Sequence, residues 1–252
     1  MVVAFIALMG LIMGSFMNVI IHRLPEGRSI VLPGSYCPSC EKPIRFYDNI
    51  PLLSYILLKG RCRHCGTSIP WRYPLVEVLT LLCLTGLYLK YGLSARFWTY
   101  GLLILFLIPI SIIDLSKGLI LNKLTIPCCI LGILLVLGLQ VETWQQVLLG
   151  ALGGGLIVWI IGLLGNLLFR KESMGMGDVK LLVMIGVYVG FPEVAICLFF
   201  GIFIAAIIIL SGMALKKLNL GDTIPFGPFV AIGTLVYLLW GESILEWYLG
   251  RF

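Results

Sequence analysis

Long apolar runs separated by short polar breaks make up most of the chain. Eight of them are long enough to be read as membrane helices, at 2–21, 74–91, 97–114, 124–140, 146–169, 178–191, 193–214 and 226–245. One polar stretch interrupts the series, residues 22–73, between the first run and the second. The pattern divides the chain into a first helix (1–21), a polar insertion (22–73) and a seven-helix block (74–252).

Composition agrees. Hydrophobic residues make up 60% of the 252, charged residues 12%, and the mean hydropathy is +1.07. A soluble domain of this length needs far less apolar surface, so the class is an all-α polytopic membrane protein. The first run has no basic segment before it and no small-residue cleavage site after it, so it reads as a retained span.

Net charge is +6, from 18 Lys and Arg against 12 Asp and Glu. A basic balance can signal nucleic acid, but here it is distributed by topology. With the N-terminus outside, every Lys and Arg except Lys90, Arg96 and Arg251 falls on the cytosolic side. Glu142, Glu193, Glu242 and Glu246 fall outside. The expected contact for the basic residues is the membrane lipid of the cytosolic leaflet. No nucleic-acid motif is present.

Two aspartates stand at the mouths of spans. Asp114 closes the run that starts at Phe97. Asp178, in Gly175-Met176-Gly177-Asp178, opens a short run after Arg170-Lys171. Ionisable groups at membrane depth are costly and mark function by default. The topology puts both on the cytosolic side. The sixth run covers only about 21 Å of a roughly 30 Å apolar layer, which places Asp178 below the membrane surface. Two such carboxylates can share one proton: one draws a proton from water while the other polarises a scissile carbonyl. The glycines beside Asp178 are expected to let backbone approach an extended peptide. Lys180 reads as an interfacial anchor and Asn18 as a bond to a neighbouring helix.

The insertion carries Cys37-Pro38-Ser39-Cys40 and Cys62-Arg63-His64-Cys65. Paired C-x-x-C knuckles at this spacing predict a structural zinc site with four thiolate ligands. An insertion this small has little core of its own, so metal would supply its stability. His64 is expected to be a bystander. Cys83, Cys128, Cys129 and Cys197 lie in spans and read as small apolar residues.

The chain resembles the type IV prepilin peptidase and N-methyltransferase family, the bifunctional enzymes of pilus, type II secretion and competence systems. Gly14-Ser15-Phe16-Met17-Asn18-Val19 and Arg23-Leu24-Pro25 resemble its first span and exit. The cysteine pairs, Asn49-Ile50-Pro51 and Arg72-Tyr73-Pro74-Leu75-Val76-Glu77 resemble its cytosolic domain. Met174-Gly175-Met176-Gly177-Asp178-Val179-Lys180-Leu181 resembles its G-x-G-D segment, and Pro225-Phe226-Gly227-Pro228-Phe229 the entry to its last span. The stretch Ile120-Leu121-Asn122-Lys123-Leu124-Thr125 lacks the proline usual there, while keeping Asn122 and Thr125.

The resemblance implies that Asp114 and Asp178 are the catalytic pair of an enzyme in the bacterial cytoplasmic (inner) membrane. It implies a prepilin or pseudopilin substrate, cleaved after a glycine and then N-methylated from S-adenosylmethionine. Gly60 matches a glycine tied to methylation. No nucleotide-binding glycine motif locates the methyl donor; Glu41, Arg45, Arg72 and Glu77 are candidate contacts. Two readings from other classes compete. A proton-coupled transporter would show repeated spans and helices broken near the midplane. A membrane scaffold presenting a zinc ribbon leaves Gly175 to Asp178 unexplained. A cleavage-only peptidase is the narrower alternative.

Overall fold

The computed structural model describes residues 1–169, 175–218 and 224–250. Arg170, Lys171, Met174 and Arg251, used in the topology and resemblance above, lie outside the described residues. These comprise nine α-helices: α1 (Val2–Arg23), α2 (Leu53–Leu57), α3 (Arg72–Tyr91), α4 (Ala95–Lys117), α5 (Asn122–Gly138), α6 (Trp144–Phe169), α7 (Met176–Val189), α8 (Glu193–Ala214) and α9 (Gly227–Leu249). There is no strand among them, only isolated bridges at Tyr36–Pro43 and Arg61–Ser68. All eight runs are helical. Six helices (α1, α3, α4, α6, α8 and α9) are long and apolar enough to cross a membrane. The remaining two, α5 with 17 residues and α7 with 14, are shorter.

Two compact units divide the chain, Met1–Leu89 and Lys90–Phe252. In the first, α1 crosses α3 at Gly10 and Gly14. A Cβ on Gly10 would lie 2.7 Å from Leu81 Cα, and one on Gly14 would lie 2.6 Å from Glu77 Cα. Only glycine permits so close a backbone approach. Above the crossing, Asn18 Nδ2 donates to Tyr73 O at 3.0 Å and to Gly14 O at 3.3 Å. Arg23, 7% exposed, ends α1 and ties down the start of the insertion: its guanidinium donates to Pro33 O at 2.7 Å and Gly34 O at 2.9 Å.

The second unit is built round α7. Leu181, Leu182, Met184, Ile185, Val187, Tyr188 and Val189 are all buried. A helix that is apolar on every face must be surrounded, and α4, α5, α6, α8 and α9 all touch α7. Against α6 the approach is at backbone distance: a Cβ on Gly186 would fall 2.0 Å from Gly150 O. Against α5, Tyr188 donates its hydroxyl proton to Cys128 O at 2.9 Å, satisfying its one polar atom. Burial on all sides explains a central helix of 14 residues: protein, not lipid, covers most of its surface.

Candidate active site

Asp114 lies one turn inside the C-terminal end of α4, because the helix runs past the end of the apolar run. The helix continues to Lys117 and stops at Gly118, which adopts φ +63° and donates its N–H to Asp114 O at 2.8 Å. The Asp114 side chain is 6% exposed. Its Oδ2 accepts the N–H of Gly227, the first residue of α9, at 3.0 Å. A buried carboxylate needs such a donor, and the N-terminus of a helix supplies one.

Asp178 occupies the first turn of α7, after an extended Gly175, and its N–H donates to Gly175 O at 3.1 Å. A carboxylate is favoured at a helix N-terminus. Helices α4 and α7 are in contact, and Asp178 lies within the field of Asp114. One helix end and one helix start thus place the two carboxylates on neighbouring elements.

The two glycines of this segment have different surroundings. A Cβ on Gly177 would lie 3.1 Å from Ile120 Cβ, so Gly177 lets α7 pack on the loop after α4. A Cβ on Gly175 would have only its own segment within 4 Å, Asp178 Oδ2 at 3.9 Å included. Among the described residues, Gly175 thus has no neighbour outside its own segment at this distance. Lys180 donates to Asn122 Oδ1 at 2.9 Å, fastening the start of α7 to the start of α5.

The four cysteines of the insertion converge. Their sulfurs all lie within 4.8 Å of one another, with Cys37 Sγ to Cys65 Sγ at 3.8 Å. Tetrahedral thiolates about 2.3 Å from zinc would stand about 3.8 Å apart, so the set fits. Two knuckles with the same bonding build it. Cys37 N–H donates to Lys42 O and Glu41 N–H to Cys37 O; Cys62 N–H donates to Thr67 O and Gly66 N–H to Cys62 O. Thr67 holds the Cys65 thiol down, to about 6, with its hydroxyl 3.3 Å from Sγ. Beside the cluster, Asp48 and Arg63 form a two-pronged ion pair at 2.6 and 2.8 Å, and the guanidinium holds the Asp48 carboxyl below its usual range. His64 stands outside the cluster. Cys83, Cys128 and Cys197 are buried in helices and Cys129 is half-buried.

Residues 8–91 match the bacterial peptidase A24 N-terminal domain and residues 101–210 match the type IV leader peptidase family. A protein of Aeromonas salmonicida named prepilin leader peptidase/N-methyltransferase is 37% identical over 96% of this chain and 92% of its own length. One of Pseudomonas aeruginosa with the same name is 35% identical over 96% and 91%. The chain belongs to the type IV leader peptidase family. No solved structure matches it.

Within the family's N-terminal domain, a cavity of about 350 Å³ opens between α1, α3 and the insertion. Arg72 and Glu77 line it; Glu41, Arg45 and Gly60 do not. Glu41 sits in a knuckle turn at φ 55°, and Arg45 is engaged by the Tyr47 hydroxyl on the surface. Gly60, at φ +66°, faces the Tyr55 ring, which does line the cavity. Glu77 Oε2 accepts Leu52 N–H at 2.8 Å, and Ser15 also bonds this carboxylate. Sequence reasoning gave no role to Tyr55 or to the Gly227 N–H. The first is visible only once Gly60 folds onto it, the second only once α9 meets α4.

Proposed function

We propose that this protein removes the leader of type IV prepilins or pseudopilins and then methylates the new N-terminus. What supports the reading is that Asp114 on the last turn of α4 and Asp178 on the first turn of α7 stand on helices that touch. Cleavage follows a glycine, at the cytosolic face of the bacterial inner membrane, with the N-terminus of the chain outside and the insertion in the cytosol.

One carboxylate takes a proton from the attacking water. The other, protonated, donates to the scissile carbonyl oxygen, and the tetrahedral intermediate collapses as the leaving amine takes up a proton. The Gly227 N–H fixes the Asp114 carboxyl against rotation during these transfers. A Gly175 open on one side gives an extended peptide backbone room to approach Asp178. The product is a peptide with a free α-amine, and that amine is the nucleophile of the second reaction. S-adenosylmethionine supplies an electrophilic methyl group when bound.

Cys37, Cys40, Cys62 and Cys65 would hold zinc. Four protein ligands close the coordination sphere, so the metal stabilises the insertion and takes no part in bond making.

Mass spectrometry of a model prepilin, incubated with purified protein and S-adenosylmethionine, tests the reading. The expected product is shortened at the glycine and carries one added methyl, and an Asp178→Ala control leaves the substrate intact. Cleavage without the methyl removes the transferase half. Cleavage by the Asp178→Ala control removes the aspartate pair.

A further inference from the structure

The second reaction needs a place for its methyl donor. We infer that the donor binds in the cavity between α1, α3 and the insertion, an assignment that rests on the methyltransferase reading above. The volume, about 350 Å³, falls within the roughly 300–1,000 Å³ of small-molecule sites. Its lining supplies what a zwitterionic sulfonium nucleoside requires.

Among the described residues, two buried polar atoms there have no partner. Asn18 is 2% exposed and spends its amide hydrogens on Gly14 O and Tyr73 O, leaving Oδ1 unbonded. The Nε of Arg72 is likewise buried and unbonded. Native structures rarely leave buried polar atoms unpaired, and such exceptions point to an absent partner. Arg72 suits the donor's carboxylate. The Asn18 oxygen and the Glu77 carboxylate suit its ammonium and sulfonium charges. Glu77 is pre-oriented by Leu52 N–H and Ser15 and keeps acceptor capacity to spare. Tyr36 and Tyr55 offer aromatic surface for a purine.

The same geometry gives Gly60 a positioning role. A Cβ there would lie 3.1 Å from Tyr55 Cζ and 3.1 Å from its hydroxyl oxygen. Any side chain at 60 pushes the ring that lines the cavity, so Gly60 shapes the site through Tyr55 without touching the ligand.

Equilibrium dialysis of radiolabelled S-adenosylmethionine against the purified full-length protein tests this, with bound zinc measured for each variant as a control on fold. Glu77→Gln and Ser68→Trp, the latter filling the cavity from its exposed rim, are expected to weaken binding at least tenfold with zinc retained. Gly60→Ala is expected to raise the donor KM more than it lowers kcat. Photolabelling of the wild type with an azido-adenosyl donor is expected to mark peptides within residues 15–77. Binding within twofold of wild type in both Glu77→Gln and Ser68→Trp, or a label confined to residues 90–252, overturns the cavity assignment while leaving the methyltransferase reading standing. A wild type that cleaves prepilin but neither binds the donor nor methylates overturns both.

Discussion

The N–H of Gly227 points at Oδ2 of Asp114, 3.0 Å away, and a Cβ on Gly227 would lie 2.7 Å from that same oxygen. The first residue of α9 therefore supplies a donor to the carboxylate and, by lacking a side chain, leaves room for it. Gly227→Ala forces the carboxyl to swing or α9 to retreat. Displacing a reacting group by about 1 Å costs on the order of 100-fold in rate. Cleavage of a model prepilin by this variant is expected to fall by about that factor in kcat, with little change in KM. Alanine is the better helix former, so thermal stability is expected to hold. A wild-type kcat would show that the Asp114 carboxyl needs no such clamp.

In the proposed mechanism the two carboxylates divide one task. Asp114→Asn and Asp178→Asn are each expected to lower cleavage by at least about 100-fold, the range of a lost acid or base. The double variant is expected to be no worse than the weaker single one, because groups that act as a unit are not additive. Initial rates of leader release for the three proteins give the comparison. Losses that multiply would mean that the aspartates work separately.

Much of this architecture was legible in the sequence. Eight apolar runs mark the eight long helices because burial in lipid or protein demands continuous hydrophobicity whichever surrounds them. For that same reason hydropathy could not separate α7 from its neighbours. Its residues are covered by five other helices, a fact of packing and not of composition. The cysteine spacing carried the four-cysteine cluster because both knuckles are local turns. The cavity between α1, α3 and the insertion was not legible. Asn18, Tyr55, Arg72 and Glu77 come from three separate segments, and their chemistry has meaning only once α1 crosses α3 at Gly10 and Gly14.

The two knuckles match in bonding and differ at one position. Glu41 holds φ 55° where Gly66 holds φ 73°. A left-handed conformation costs a residue with a Cβ about 1–2 kcal/mol. Glu41→Gly is therefore expected to tighten metal binding by up to about tenfold, since about 1.4 kcal/mol corresponds to that factor. Gly66→Ala is expected to weaken it comparably. Competition with a chromophoric zinc chelator reads both. Methylation is expected to survive Glu41→Gly, because Glu41 lies outside the cavity lining. Its loss would return Glu41 to the donor contacts.

Removing the metal should unfold the insertion. Zinc contributes about 10–16 kcal/mol of apparent folding energy in comparable small cysteine sites, more than an insertion with little apolar core can replace. After chelation, or in Cys62→Ser, trypsin is expected to cut at the exposed Arg45, Lys59 and Arg61 at least tenfold faster, with methylation lost in parallel. Unchanged digestion of the metal-free protein would mean that the knuckles hold by their own hydrogen bonds.

The seam between α6 and α7 has no such tolerance for change. A Cβ on Gly186 would sit 2.0 Å from Gly150 O and 2.4 Å from its carbonyl carbon, atoms of backbone that cannot rotate away. Gly186→Ala must separate the helices, and overpacking of this kind costs about 1–3 kcal/mol or more. Because α7 carries Asp178 at its other end, the tilt should reach the active site. Both thermal stability in detergent and cleavage are expected to fall. Gly138, where a Cβ would meet nothing within 4 Å, provides the control. Gly138→Ala at the end of α5 is expected to match or slightly exceed wild-type stability, with cleavage unchanged. Equal behaviour of the two variants would mean that α7 can shift without cost, and that its burial does not position Asp178.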